Sequence, residues 1–148
     1  IVRRLLGLDS AIGVTVVDPV RDDRGWAFRD GPGHQRDPIN GFQFLREAYL
    51  ASNPSFHGRW TVPVLWDTRL RGIVNNSEDD LCRMFQDAFV PPGQAAPDLF
   101  PAHLASEQAA LSQFIYDDIN NGVYRAGFAT RQAVYARAAR RVFAALDT

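Results

Sequence analysis

Gly58-Arg59-Trp60-Thr61-Val62-Pro63-Val64-Leu65-Trp66-Asp67 reads as a β-strand over residues 61–67 with a proline inside it. Proline cannot donate to a β-ladder, so Pro63 inside this run needs an explanation, an edge strand being the plain one. A turn through residues 68–72 leads to a second strand at Ile73-Val74, and the two read as an antiparallel pair. Upstream, Phe42, Leu45 and Tyr49 recur at helical spacing, and the helix they mark stops before Asn53-Pro54. Before that lies a long loop over residues 21–40, rich in Asp, Gly, Pro and Arg and interrupted by Gly25-Trp26-Ala27-Phe28. Residues 1–8 read as the last turns of a helix ended by Gly7, and the β-branched run 12–17 as a buried strand stopped by Asp18-Pro19. Downstream, Ser77 suits a helix N-cap, Asp80 stands three residues on as an imperfect capping box, and Leu81, Phe85 and Phe89 form the buried stripe. Residues 91–97 are a proline-rich linker, after which the pattern is purely helical. Leu104, Leu111, Ile115 and Ile119 mark one helix ending at Asn121-Gly122, and Tyr135, Ala139, Val142 and Leu146 mark another.

The chain has 148 residues, 46% hydrophobic, with a net charge of -1, enough to bury one sizeable core. Its aromatic content of 11% opposes disorder, and no apolar run approaches the roughly 18 residues of a membrane helix. The single cysteine, Cys82, cannot form an internal disulfide, which fits a reducing compartment, and the cytoplasm is the expected location. Cys82 shares a helical face with Leu81, Phe85 and Phe89 and is expected to be an ordinary buried thiol. All 16 basic residues are arginine, which excludes Schiff-base chemistry and a lysine base within these residues. They are scattered among 17 acids, so no nucleic-acid footprint is expected. His34, His57 and His103 lack paired ligand spacing, and no metal is predicted. The cluster Asp18, Asp22, Asp23, Gly25 lacks calcium-loop spacing, and Gly31-Pro32-Gly33 is not followed by the residues of a phosphate loop. Arg131, Arg137, Arg140 and Arg141 form a basic face on the last helix, expected to be solvated or paired with acids.

The order of these elements resembles that of glutathione transferases. The strings Gly25-Trp26-Ala27-Phe28, residues 58–67, Ile73-Val74-Asn75-Asn76 and Ile115-Tyr116-Asp117-Asp118-Ile119-Asn120-Asn121-Gly122-Val123-Tyr124-Arg125-Ala126-Gly127-Phe128-Ala129 resemble the glutathionyl-hydroquinone reductases, the xi class of that superfamily. The resemblance covers nearly the whole chain. It implies an incomplete α/β thioredoxin-like, glutathione-binding part over residues 1–90, a linker over 91–97 and an incomplete all-α part over 98–148. It further implies that the chain is the middle of a longer, homodimeric enzyme.

The same resemblance implies the chemistry. The family's nucleophile is a cysteine in a Cys-Pro-Trp-Ala motif, roughly two helical turns before Ile1 and absent from these residues. The proline equivalent to Pro63 is typically cis, and the resemblance implies that Val62 pairs with the cysteinyl unit of glutathione, with Arg59, Trp60 and Thr61 as neighbours. Ser77 and Glu78 stand where the family holds the γ-glutamyl group, although the usual order Glu-Ser is reversed, which sets a carboxylate towards the ligand's own. Trp26 is assigned against glutathione, with packing as the alternative, and a plain helix cap is the alternative for Ser77. The resemblance assigns Tyr124 as the proton donor or acceptor facing the hydroquinone, while Tyr116 reads as core or pocket wall. The implied activity is glutathione-dependent reduction of glutathionyl-hydroquinones. A non-catalytic thiol-binding module and an inactive truncated remnant remain as alternatives. In the transferase sheet the first strand separates those containing Val14 and Val64, so its absence is expected to leave two edges unpaired.

Overall fold

In the computed structural model, which describes residues 1–148, the chain opens with helix α1 (Val2–Leu5). Gly7, at φ +68, turns the chain, and Leu6 and Leu8 on either side of it are fully buried. The linker residue Gln94 is tied to this turn by donating from Nε2 to the Leu6 carbonyl at 2.9 Å. The chain forms two compact units, Ile1–Pro97 and Asp98–Thr148.

Residues 12–17 are not the expected buried strand. No strand is formed there, and Val14 and Val16 are exposed. The hydrogen bonds of this run go to loops: Gln35 N donates to Val16 O at 3.1 Å, and Asp18 N donates to Ala27 O at 2.8 Å. A β-branched run has the propensity for a strand but becomes one only beside a partner with matching donors and acceptors, and none lies beside it.

The long loop is stitched rather than loose. The buried Asp37 carboxylate accepts from the amides of Ile39, Asn40 and Phe42 at 2.9 to 3.3 Å. Phe28 N donates to Gln43 O, and Leu45 N to Trp26 O, both at 2.9 Å, which locks the Trp26 segment against the start of helix α2 (Leu45–Ser52). Glu47 Oε1 accepts from the amides of Gln43 and Phe44, satisfying donors that helix entry leaves free. The periodic face of α2 buries Leu45, Ala48 and Tyr49, against which Trp26, Phe28, Phe42, Phe56, Trp60, Val64, Trp66 and Ile73 pack. Full burial of a side chain such as Leu45 contributes about 1.5–3 kcal/mol, and the half-buried rings around it add in proportion to the surface they cover.

Strand β1 is shorter than the sequence pattern suggests, Leu65–Asp67, and pairs antiparallel with β2 (Gly72–Asn75). Leu65 faces Asn75, Trp66 faces Ile73 and Asp67 faces Gly72, with an irregularity between Leu65 and Trp66. Pro63 therefore precedes the strand instead of interrupting it, since it has no N–H to give to a ladder. The Val62-Pro63 bond is cis. In the connecting turn, Asp67 Oδ1 accepts from the amides of Arg69 and Leu70 at 2.7 and 2.8 Å, and these bonds hold its carboxyl below the usual range. Ser52 Oγ accepts from Ile73 N at 2.8 Å and donates to Ala48 O at 2.7 Å, joining α2 to β2.

Helix α3 (Glu78–Met84) follows, capped by Ser77, and passes into a wider π-helical turn, Phe85–Phe89. Of its expected stripe only Leu81 is buried. Phe85 and Phe89 are half-buried and meet edge to face at 5.9 Å, and Cys82 is likewise half-buried rather than enclosed. The π turn adds a residue to the repeat and so rotates the downstream stripe off its 3.6-residue line.

In the second unit, helix α4 (Ala105–Phe114) follows a 3₁₀ turn, Ala102–Leu104, and runs through a π-helical segment, Ile115–Asn120, into α5 (Asn121–Gly127). Asn121-Gly122 is thus not a helix end. Gly122 is buried within α5, where a β-carbon would stand 2.8 Å from Val142 Cγ2 of helix α6 (Gln132–Leu146). The glycine serves close approach of two helices, a packing reason that outweighs its poor helix propensity. On α6, Val142 and Ala145 are buried but Tyr135 and Leu146 are exposed, so the inward face is rotated from the one the apolar pattern marks. Leu104, Leu111 and Tyr116 are exposed as well, so of the two readings of Tyr116, core and pocket wall, the first does not hold. Arg141 pairs with Asp118, tying α6 to the π segment. No helix is long and apolar enough to cross a membrane.

Candidate functional site

Two of the segments singled out in the sequence, Thr61-Val62 and Ser77, are brought together around the hydroxyl of Tyr49. Tyr49 OH donates to Thr61 O at 2.9 Å and accepts from Thr61 N at 3.3 Å and from Asn76 Nδ2 at 3.0 Å. Asn76 Nδ2 also donates to Thr61 Oγ1 at 3.1 Å. The residue before Val62 and the residue before Ser77 are therefore hydrogen-bonded neighbours on one side of α2. Val62 itself is 46% exposed, and its amide and carbonyl make no hydrogen bond within the chain, so both are open to a ligand.

Ser77 is held by its own neighbours. Its amide donates to Asn75 Oδ1 at 2.7 Å, and its Oγ accepts from Asp80 N at 3.4 Å, the ordinary N-cap bond. The Ser77 hydroxyl proton remains free to donate outward. Asp80 does not close a capping box: its carboxylate accepts from Asn75 Nδ2 at 3.3 Å instead. Glu78 is exposed at the first helical position, followed by the exposed acids Asp79 and Asp80. This end of the site carries negative charge, suited to an ammonium group and opposed to a carboxylate unless Ser77 and nearby amides offset it.

Trp26 and Trp60 both pack on the α2 cluster and are half-buried, and the ring of Trp60 lies 3.5 Å from where a β-carbon on Gly25 would stand. Gly25 sits at φ +106, where the absence of a side chain permits both the backbone turn and this contact. Trp60 Nε1 is buried and has no hydrogen-bond acceptor within the chain. Arg59 is exposed and makes no ion pair.

Tyr124 belongs to the second unit, on α5. It is 63% exposed and its ring stacks on Phe128, with centroids 6.2 Å apart and planes 10° from parallel. Arg125 Nη1 donates to Asp117 O at 3.1 Å, and Asn121 Nδ2 to Tyr116 O at 3.0 Å, which secures the helix on either side of Tyr124. An open groove of about 620 Å³ runs along Arg125, Phe128, Arg131, Val134, Arg137 and Arg141.

Cys82 lacks the surroundings of a nucleophile. Burial pushes its thiol above the ordinary value, and the Glu78 and Asp79 carboxylates push it further, so the thiol form prevails at neutral pH. No three His, Cys, Asp or Glu side chains converge as metal ligands would. His34 instead uses Nδ1 on the Arg29 carbonyl at 2.7 Å.

Comparison with known proteins adds the decisive observation. Over 147 residues, 99% of this chain, it is 44% identical to glutathionyl-hydroquinone reductase YqjG of Escherichia coli, of which it covers 45%. It is 37% identical over 147 residues to glutathionyl-hydroquinone reductase PcpF of Sphingobium chlorophenolicum, of which it covers 47%. This chain is homologous along its length to xi-class glutathione transferases. The fold agrees. The Xi glutathione transferase of Phanerochaete chrysosporium matches with a TM-score of 0.91 at 41% identity, covering 99% of this chain and 51% of that one. The glutathione-bound structure of YqjG matches with a TM-score of 0.92 at 43% identity, covering 99% and 48%. The chain thus spans about half the length of the xi-class proteins it matches. No protein-family model matches it.

Three residues of this cluster escaped the reading of the sequence as functional: Tyr49, Asn75 and Asn76. Tyr49 was legible only as an apolar stripe residue. Asn75-Asn76 directly before a serine N-cap did carry a signal, because asparagine side chains before a helix commonly bond backbone amides two residues on.

Proposed function

We propose that this chain supplies the glutathione-binding cleft and the quinol-facing tyrosine of a glutathionyl-hydroquinone reductase. The observation that carries the proposal is the juxtaposition of Thr61-Val62 with Asn76-Ser77 through Tyr49 OH, in a chain homologous to xi-class transferases. Val62 would pair through its free amide and carbonyl with the cysteinyl backbone of glutathione. The Ser77 hydroxyl would donate to the γ-glutamyl carboxylate, and Glu78 would take the γ-glutamyl ammonium group. Trp26, Trp60, Thr61 and Arg59 would border the tripeptide, with Arg59 available to its glycyl carboxylate.

In the reaction, a cysteine thiolate outside residues 1–148 would attack the sulfur of a glutathionyl-hydroquinone. The aryl carbon–sulfur bond breaks, the ring carbon takes a proton from Tyr124, and hydroquinone leaves as a cysteine–glutathione mixed disulfide forms. A second glutathione thiolate attacks that disulfide, releasing oxidised glutathione and the cysteine thiolate. The ring carbon gains two electrons as its bond to sulfur is replaced by one to hydrogen, and the thioether sulfur and one glutathione thiol become one disulfide. The tyrosine suits its role because an ordinary phenol, with a pKa near 10, is protonated at pH 7. Homodimeric assembly and a reducing, cytoplasmic setting complete the proposal; the single, unpaired Cys82 accords with the latter.

The test is titration of the full polypeptide with glutathione, followed by turnover of a glutathionyl-hydroquinone by wild type and Tyr124→Phe. Binding with turnover that falls about 100-fold in the variant, at unchanged glutathione affinity, is expected. Absence of glutathione binding would refute the proposal, and unchanged turnover would remove Tyr124 from it. Binding without any turnover would favour a thiol-binding module, a reading that the unreactive setting of Cys82 also suits.

A further inference from the structure

Tyr49 is buried on α2 behind Thr61 and Asn76, and both halves of the cleft are bonded to its hydroxyl. We propose that its hydroxyl is the positioning group that sets the spacing between the Val62 backbone and Ser77, and thereby selects a ligand long enough to span both. This rests on the glutathione reading of the cleft.

The argument begins with capacity. A phenol has one proton to donate and two lone pairs to accept with. Tyr49 OH faces four polar atoms, more than it can bond singly: it donates to Thr61 O, accepts from Thr61 N and Asn76 Nδ2, and lies 3.3 Å from Thr61 Oγ1. An oxygen saturated in this way is a fixed node. Its anchorage is firm, because the ring is only 4% exposed, belongs to the Leu45, Ala48, Tyr49 cluster and packs on Phe56 with centroids 4.8 Å apart.

The next step concerns what is held. Thr61 is gripped at its amide, its carbonyl and its side-chain hydroxyl, so its backbone does not enter a β-ladder. Consequently Val62 follows a fixed peptide but keeps its own amide and carbonyl unpaired. On the other side, Asn76 leads directly to Ser77, whose amide is fixed by Asn75 Oδ1 at 2.7 Å. The hairpin brings the two segments near each other, but its last pair, Leu65 and Asn75, stops short of Val62 and Ser77 and leaves their spacing to other bonds. What links the two halves is the pair of Asn76 bonds, to Tyr49 OH at 3.0 Å and to Thr61 Oγ1 at 3.1 Å. A ligand that engages Val62 alone is indifferent to that spacing, whereas one that reaches from Val62 to Ser77 reads it directly.

The experiment compares glutathione with cysteinylglycine, which keeps the cysteinyl backbone and lacks the γ-glutamyl group. Both are titrated by NMR into the full polypeptide, wild type and Tyr49→Phe. The variant keeps the ring and its packing and loses the hydroxyl. Glutathione affinity is expected to fall about tenfold, the equivalent of one or two hydrogen bonds, while cysteinylglycine affinity stays within about twofold. A role confined to stability would lower the melting temperature and weaken both ligands equally, and that result, or unchanged glutathione affinity, would overturn the proposal. Should Tyr49→Phe fail to fold, Asn76→Ala cuts the link from the other side and is expected to show the same selective loss. Wild type that binds no glutathione would overturn the reading of the cleft itself, an outcome distinct from wild type that binds it while the variant loses both ligands alike.

Discussion

Replacing Gly122 by alanine sets two effects of known size against each other. In α5 the backbone of Gly122 is ordinary helix, so alanine gains about 1 kcal/mol of helix propensity there. Its methyl group would stand 2.8 Å from Val142 Cγ2, well inside van der Waals contact. Val142 is buried and β-branched within a helix, where one χ1 rotamer dominates, so its methyl cannot swing aside cheaply. Overpacking of this kind costs about 1–3 kcal/mol. The clash is expected to win, leaving Gly122→Ala less stable by up to about 2 kcal/mol and lowering the melting temperature by several degrees, as calorimetry of the full polypeptide would record. Adding Val142→Ala removes the obstructing methyl, so in that background the Gly122→Ala change should become neutral or stabilising. A single Gly122→Ala variant that melts higher than wild type would show that propensity governs this position, and the close-packing account of α5 and α6 would be wrong.

Two further outcomes follow from the geometry of the first unit. Trp26→Ala should lower stability in urea unfolding by about 2 kcal/mol, because half of a large aromatic surface packed on the α2 cluster is lost, and weaken glutathione binding as well; a loss of affinity at unchanged stability would contradict the packing described for it. Cys82 should react slowly with iodoacetamide at pH 7, its rate rising only as pH passes above the ordinary thiol range. Because its folded-state value is raised, any stability linked to Cys82 is complete below the ordinary value and declines as pH rises beyond it. Rapid labelling at neutral pH would refute the burial and the Glu78 and Asp79 repulsion invoked here.

How far local pattern predicts structure varies along the chain for identifiable reasons. The hairpin, the Leu45, Tyr49 face of α2 and the Ser77 cap are local: turn residues, helical spacing and a hydroxyl three residues from an amide suffice to specify them. Residues 12–17 failed as a strand because pairing needs a neighbour that composition does not supply. Asn121-Gly122 carries the local signature of a helix stop, yet contact with Val142 gives the glycine another purpose. The apolar stripes of α3, α4 and α6 marked helices correctly and inward faces poorly; π-helical turns at Phe85–Phe89 and Ile115–Asn120 shift the phase along the first two stripes.

Sequence alone determined which residues carry the candidate chemistry, Thr61-Val62, Ser77, Glu78 and Tyr124, because their neighbours form strings specific enough to mark a family. Only the tertiary structure decided that Tyr49 and Asn76 belong with them. Their hydrogen bonds join positions 12, 15 and 27 residues apart, and no local periodicity encodes a meeting of that kind. It arises when the apolar face of α2 is buried and carries a single phenolic oxygen to the point where two otherwise separate segments pass.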